Sequence, residues 1–127
     1  GVVFILDGHL EAAKKLFQSL LERTEHSLSE TFCQLCLLQI ALLEGDNEKA
    51  EEYASIRSVK SFLSLKMADV QSIQAWYQFK VKKDVAQTRK AMKIARQKMN
   101  SSRMLRDEKR YYENWLAELE KALAEGV

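Results

Sequence analysis

The sequence predicts an all-α protein, and three observations carry that prediction. Among 127 residues there is no proline and there are only four glycines, so long stretches are free of the residues that interrupt helices. Apolar residues recur at three- and four-residue spacing along most of the chain, the period of a helix with one buried face. Proline-bounded strands and Asn-Gly hairpin turns are missing. A hydrophobic fraction of 46% is ordinary for a globular protein. The length suits one domain, residues 1–127, or a piece of a longer array.

Six helices follow in order. The run Val2-Val3-Phe4-Ile5-Leu6 reads as the end of a helix that begins before Gly1, so the chain reads as a fragment. That run lacks a basic leader and falls far short of the ~20 apolar residues of a membrane span. The first complete helix runs from about His9 to Arg23, with Leu10, Ala13, Leu16, Phe17, Leu20 and Leu21 on one face. Ser27 and Glu30 have capping-box spacing and start a second helix that lasts through Glu44. Its residues Phe32, Leu35, Leu37, Leu38, Ile40, Ala41, Leu42 and Leu43 surround most of its circumference, as in a helix sandwiched between neighbours. Gly45 stops it, and Asp46 caps the third helix, about Asn47 to Phe62. Glu48, Glu51 and Glu52 suit the positive end of that helix.

The fourth helix spans about Lys66 to Lys82, with Met67, Val70, Ile73, Trp76, Tyr77 and Phe79 as a bulky apolar surface. Lys82-Lys83-Asp84 is a weak break. The fifth helix continues to about Met99, with Val85, Thr88, Met92, Ala95 and Met99 inward. Asn100-Ser101-Ser102 is a turn and cap signal. The sixth helix, about Arg103 to Glu125, carries the stripe Leu105, Tyr112, Trp115, Leu116, Leu119 and Leu123. Short links favour antiparallel neighbours, so the chain divides into a hairpin remnant (1–23), two hairpins (27–63 and 66–99) and a terminal capping helix (103–125). Tyr111, Tyr112 and Trp115 are large enough to close an open apolar flank.

An internal echo organises these hairpins. Gly8-His9-Leu10-Glu11-Ala12-Ala13 recurs as Gly45-Asp46-Asn47-Glu48-Lys49-Ala50, a step of 37 residues. A third copy, shifted by 38, places Lys83, Thr88, Met92 and Ala95 where the earlier copies have Gly8, Ala13, Phe17, Leu20 and Gly45, Ala50, Ala54, Arg57. On these residues the chain resembles the tetratricopeptide repeat (TPR) family, over about residues 1 to 100. That repeat has two antiparallel helices in about 34 residues, a small residue at the turn and further small and aromatic residues behind it. The sequence departs from the family in its longer period, in lacking a proline at any repeat end, and in placing Leu38 and Trp76 at usually small positions. The resemblance implies a short α-solenoid whose concave groove is lined by the first helix of each hairpin. It implies a scaffold that binds protein. In that groove Gln34, Gln39, Gln71, Gln74 and Gln78 are expected to be exposed and able to hydrogen-bond a peptide backbone.

Charge is strongly segregated. Residues 1–56 carry 4 basic and 10 acidic side chains, while residues 80–110 carry 12 basic and 3 acidic. Within the basic segment Lys82, Arg89, Lys93 and Arg96 are spaced 7, 4 and 3 apart, one face of a continuous helix. Such a stripe suits an acidic protein segment or phosphates. The competing reading is a solvated outer face.

The sequence offers no catalytic constellation. Phosphate loops, Gly-x-Ser-x-Gly elbows and His-Glu-x-x-His helices are absent. His9 and His26 lack a carboxylate and a nucleophile at interpretable spacing, and Glu48, Glu51 and Glu52 read as surface charges at a helix start. Cys33 and Cys36 form C-x-x-C within an apolar helix, with no second cysteine pair for zinc, and read as buried thiols. The absence of a disulfide framework favours an intracellular compartment, cytoplasmic or nuclear. A non-enzymatic protein-binding scaffold is therefore expected, with no catalytic, cofactor or metal residues and no membrane partner. Its candidate contact residues are Lys82, Arg89, Lys93, Arg96, Gln71, Gln74 and Gln78. Its partners are a peptide or acidic protein segment, with further repeats of the same chain or other subunits alongside. Two alternatives stand beside it: a nucleic-acid-associated module of a regulator, and an architectural segment of a large assembly.

Overall fold

The computed structural model describes residues 10–23, 27–101 and 105–125. These residues form seven α-helices and one π-helical segment, with no strand among them. The helices are α1 (Leu10–Arg23), α2 (Ser27–Glu44), α3 (Asn47–Ala54), α4 (Arg57–Leu63), α5 (Ala68–Tyr77), α6 (Val85–Ser101) and α7 (Arg106–Ala124), with the π segment at Gln78–Lys82. The all-α prediction is met. The Val2–Leu6 run, Gly8, His9, His26 and the side chains of Ser27, Leu16, Phe17, Leu20 and Leu21 lie outside the described residues. The chain divides into two compact units, Gly1–Phe62 and Leu63–Val127.

In the first unit α1 and α3 both contact α2. This explains why α2 is apolar nearly all round: Leu35, Leu37, Leu38, Ile40, Ala41 and Leu42 are all buried. Small residues face it, with Ala13 of α1 and Ala50 and Ala54 of α3 wholly enclosed. Phe32, expected inside, is 44% exposed. The third predicted helix is two helices. At the end of α3 the Ser55 amide and hydroxyl both donate to the Glu51 carbonyl, at 3.0 and 2.7 Å. The Ile56 amide closes back three residues onto Tyr53, and α4 restarts at Arg57.

In the second unit α5, α6 and α7 contact one another. Trp76 and Trp115 form the aromatic centre. Their rings stack at 5.4 Å, inclined by 13°, and the Trp76 indole N–H donates to the Trp115 carbonyl at 3.0 Å. This satisfies the one polar atom of a buried indole. Tyr112 and Leu116, Leu119 and Leu123 complete the inner face of α7. Leu105 was expected on that stripe; it precedes the helix and is 74% exposed. Met67 and Val85, also expected inside, precede or open their helices and are exposed.

The two helix-ending turns at Gly45 and Lys83 share one design. Gly45 has φ +76° and Lys83 φ 55°, both left-handed. After Gly45 the Asp46 amide reaches back to Ala41 and the Gly45 amide to Leu42, the paired bonds of a Schellman stop. Asp46 then accepts from the Lys49 amide at 3.1 Å. After Lys83 the Asp84 amide reaches Gln78, one residue further back, and Asp84 accepts from the Gln87 amide at 3.0 Å. The extra residue belongs to the π segment, which accommodates the lengthening of the step from 37 to 38. Five residues after each turn residue stands a fully enclosed side chain, Ala50 and Thr88. The third copy of the echo therefore has a left-handed turn residue followed by an Asp cap, as the second does, but with a lysine and a wider bond pattern.

Two outcomes follow from this packing. No atom lies within 4 Å of a Cβ built on Gly45, so Gly45→Ala meets conformational cost alone. It should lower stability by about 1 kcal/mol, while Lys83→Gly should raise it by up to ~1 kcal/mol, both read by urea unfolding. Trp76→Phe keeps a ring but removes the indole donor. It should cost about 1–3 kcal/mol and diminish the near-ultraviolet circular dichroism of the tryptophan pair.

Candidate functional site

The basic segment is presented by α6. One side of this helix is buried through Thr88, Ala91, Met92, Ala95 and Met99, and the exposed side carries Arg89, Lys93 and Arg96. At 1.5 Å rise per residue these three cations are about 6 and about 4.5 Å apart along the axis. They line one open cleft of about 320 Å³, together with Met92, Asn100 and Glu120 of α7. The Arg96 guanidinium pairs with the Glu120 carboxylate at 2.6 Å. Both side chains remain well exposed, 45% and 59%, so the pair is screened and exchangeable. Among the described residues Arg89 and Lys93 make no ion pair. An adjoining cleft of about 330 Å³ is lined by Arg96, Met99, Asn100 and Glu113.

Lys82 does not join this row. The left-handed Lys83 and the Asp84 cap separate it from α6, so the seven-residue spacing to Arg89 does not run along one helix. Lys82 instead lies over the Tyr77 ring at 5.9 Å, and Lys80 lies over Trp76 at 5.2 Å. Both are cation–π contacts that hold the cation at the outer edge of the aromatic centre.

The glutamines separate into different roles. Gln71 and Gln39 are buried, contrary to the expected exposure. The Gln71 side-chain amide donates to the carbonyls of Leu63 at 3.2 Å and Leu65 at 2.8 Å. It satisfies backbone acceptors at the end of α4, where the helix ladder has none to offer. Gln78 is half-buried, and its carbonyl accepts the amides that end the π segment. Gln74 borders a smaller cleft of about 190 Å³ on the other flank of α6, with Lys66, Gln87, Lys90 and Ile94. Its side-chain carbonyl is buried with no hydrogen-bond partner. Gln34, in the first unit, is also half-buried.

Two further groups define the electrostatics. Cys33 and Cys36 form no disulfide and are buried in α2, and burial pushes the Cys33 thiol up, away from the thiolate that redox chemistry uses. Glu108, at the start of α7, is held above its ordinary value by burial and then by the nearby Asp69 carboxylate. Among the described residues no group of three His, Cys, Asp or Glu side chains is placed to hold a metal ion. No described helix is long and apolar enough to cross a membrane.

No family model, curated protein or solved structure matches this chain.

Sequence reasoning found the cations of the cleft but missed Glu120, which lies 24 residues beyond Arg96 on another helix. Its only signal was an exposed acidic position flanking the α7 apolar stripe.

Glu108 supplies a pH prediction. A carboxyl whose folded pKa is raised destabilises the fold once ionised, so its penalty is present above the folded value and disappears as pH falls below the unfolded value. Glu108→Gln should therefore raise the melting temperature at neutral pH, with the gain vanishing below about pH 4. A pH series of thermal melts of both proteins checks this.

Proposed function

We propose that this chain is a non-enzymatic interaction module that binds an acidic protein segment on the exposed face of α6. The observation that carries the reading is the row Arg89, Lys93 and Arg96 on one cleft, with two of the three cations lacking a carboxylate among the described residues. Three cations within two and a half helical turns match carboxylates spaced one turn apart on a partner helix, or side chains on one side of an extended acidic strand. Met92 and the stems of the long basic side chains add apolar contact beneath the charges.

The framework behind the cleft agrees with a TPR-like repeat scaffold. The support is the repeated left-handed turn with its Asp cap at Gly45 and Lys83, and the enclosed small residues behind each. In this reading the hairpins belong to a longer α-solenoid, and the most divergent copy carries the binding surface. Gln71 adds nothing to this surface, because it is committed to backbone carbonyls, and Gln74 borders the cleft on the other flank of α6.

Fluorescence anisotropy with a labelled acidic peptide tests the proposal. Binding should weaken steadily as salt rises, since exposed charges are screened within about 8–10 Å at physiological ionic strength. Arg89→Glu with Lys93→Glu should reduce affinity by at least about tenfold. Absence of binding at low salt, or binding indifferent to the double reversal, overturns it.

A further inference from the structure

The cleft contains its own anion. Glu120 reaches across from α7 to pair with Arg96 at 2.6 Å, and Glu113, itself paired with Lys109 at 3.7 Å, lines the adjoining cleft that Arg96 also borders. Along α6 the exposed charges therefore change character. Arg89 and Lys93 form an open cationic pair, while Arg96 is occupied by one carboxylate and bordered by another.

We infer that Glu120 is a specificity-determining residue that restricts the cleft to a short acidic segment and disfavours a polyphosphate strand. This rests on the proposed acidic-segment reading. The physical reason is the length over which each ligand is charged. A peptide segment needs only two carboxylates about one helical turn apart to satisfy Arg89 and Lys93, and its flanking residues carry no obligatory charge. A nucleic-acid strand has a charge on every nucleotide. A strand laid along α6 that continues past Lys93 meets Glu120 and must displace it to reach Arg96. Like charges at that point oppose the wrong partner. The Arg96–Glu120 pair leaves the other two cations unconsumed.

The experiment compares wild type with Glu120→Gln, an exposed substitution that leaves Arg89 and Lys93 intact. Two labelled probes are titrated: a peptide with an i, i+4 pair of glutamates, and a short oligothymidine. Wild type should bind the peptide more tightly than oligothymidine. Glu120→Gln should raise oligothymidine affinity about fivefold or more, by freeing one cation and removing one like charge, and change peptide affinity less than about twofold. Equal changes for the two probes, no change for either, or tighter oligothymidine binding by wild type overturns the inference. An independent readout is phenylglyoxal labelling followed by mass spectrometry. Arg96 should react more slowly than Arg89 in wild type and at a similar rate in Glu120→Gln; similar rates in wild type overturn the inference without any ligand. Failure of the underlying reading looks different: the peptide binds neither protein, while the labelling difference persists.

Discussion

Lys83 holds a backbone conformation that side-chain-bearing residues rarely adopt, and the second unit depends on it. Its left-handed φ of 55° closes the helix that carries Trp76 and opens the helix that carries the basic row. The cost of that conformation is about 1–2 kcal/mol for an L-residue. It is offset locally by bonds that a straight helix does not provide. The Lys83 and Asp84 amides share the Gln78 carbonyl, and the Asp84 carboxylate caps α6. The Thr88 hydroxyl donates to the Asp84 carbonyl at 2.7 Å. If the chain ran straight through this point, α5 and α6 would be one rod and Trp76 would lose its neighbours.

With the turn in place, α5 and α6 contact each other and α7 closes on both. The stacked tryptophans and the indole-to-carbonyl bond fix how α7 lies against α5. That placement has an electrostatic consequence on the flank of α7 that borders α6. Glu120 comes within hydrogen-bonding distance of Arg96, and Glu113 reaches the next cleft. The aromatic centre and the charge pattern of the cleft are thus two results of where α7 lies, the first against α5 and the second against α6. The same π segment that lengthens the turn also carries Lys80 and Lys82 back over aromatic rings.

The first unit shows the same logic with less charge. A helix apolar on nearly every side is stable only between partners, and α1 and α3 provide them. Its glycine stop costs little because glycine enters the left-handed region freely. The two buried cysteines fill space in this core. Their C-x-x-C spacing follows from helical periodicity, and burial keeps Cys33 protonated.

Much of the fold was legible in residues that act through local rules. Helix content, the stop at Gly45, the cap at Asp46, the enclosure of Ala50 and the inward stripe of α7 from Tyr112 to Leu123 all follow from periodicity, capping and side-chain size. The exposed cations of α6 were legible for the same reason. What local rules did not decide depends on competition among several bonds or on contacts distant in sequence. α3 breaks after Ser55, where the Ile56 amide turns back three residues to Tyr53 instead of four. Gln71 turns inward because the carbonyls of Leu63 and Leu65, at and just beyond the end of α4, come within reach of its side-chain amide. Lys82 leaves the basic row because a lysine takes a left-handed turn where periodicity extended a helix. Glu120 joins that row because α7 packs alongside α6. The sequence by itself determined the helices and their charged faces, since these are set by neighbours three and four residues away. Only the tertiary structure decided which charges meet, because ion pairing depends on distances of a few ångströms between helices that no spacing along the chain encodes.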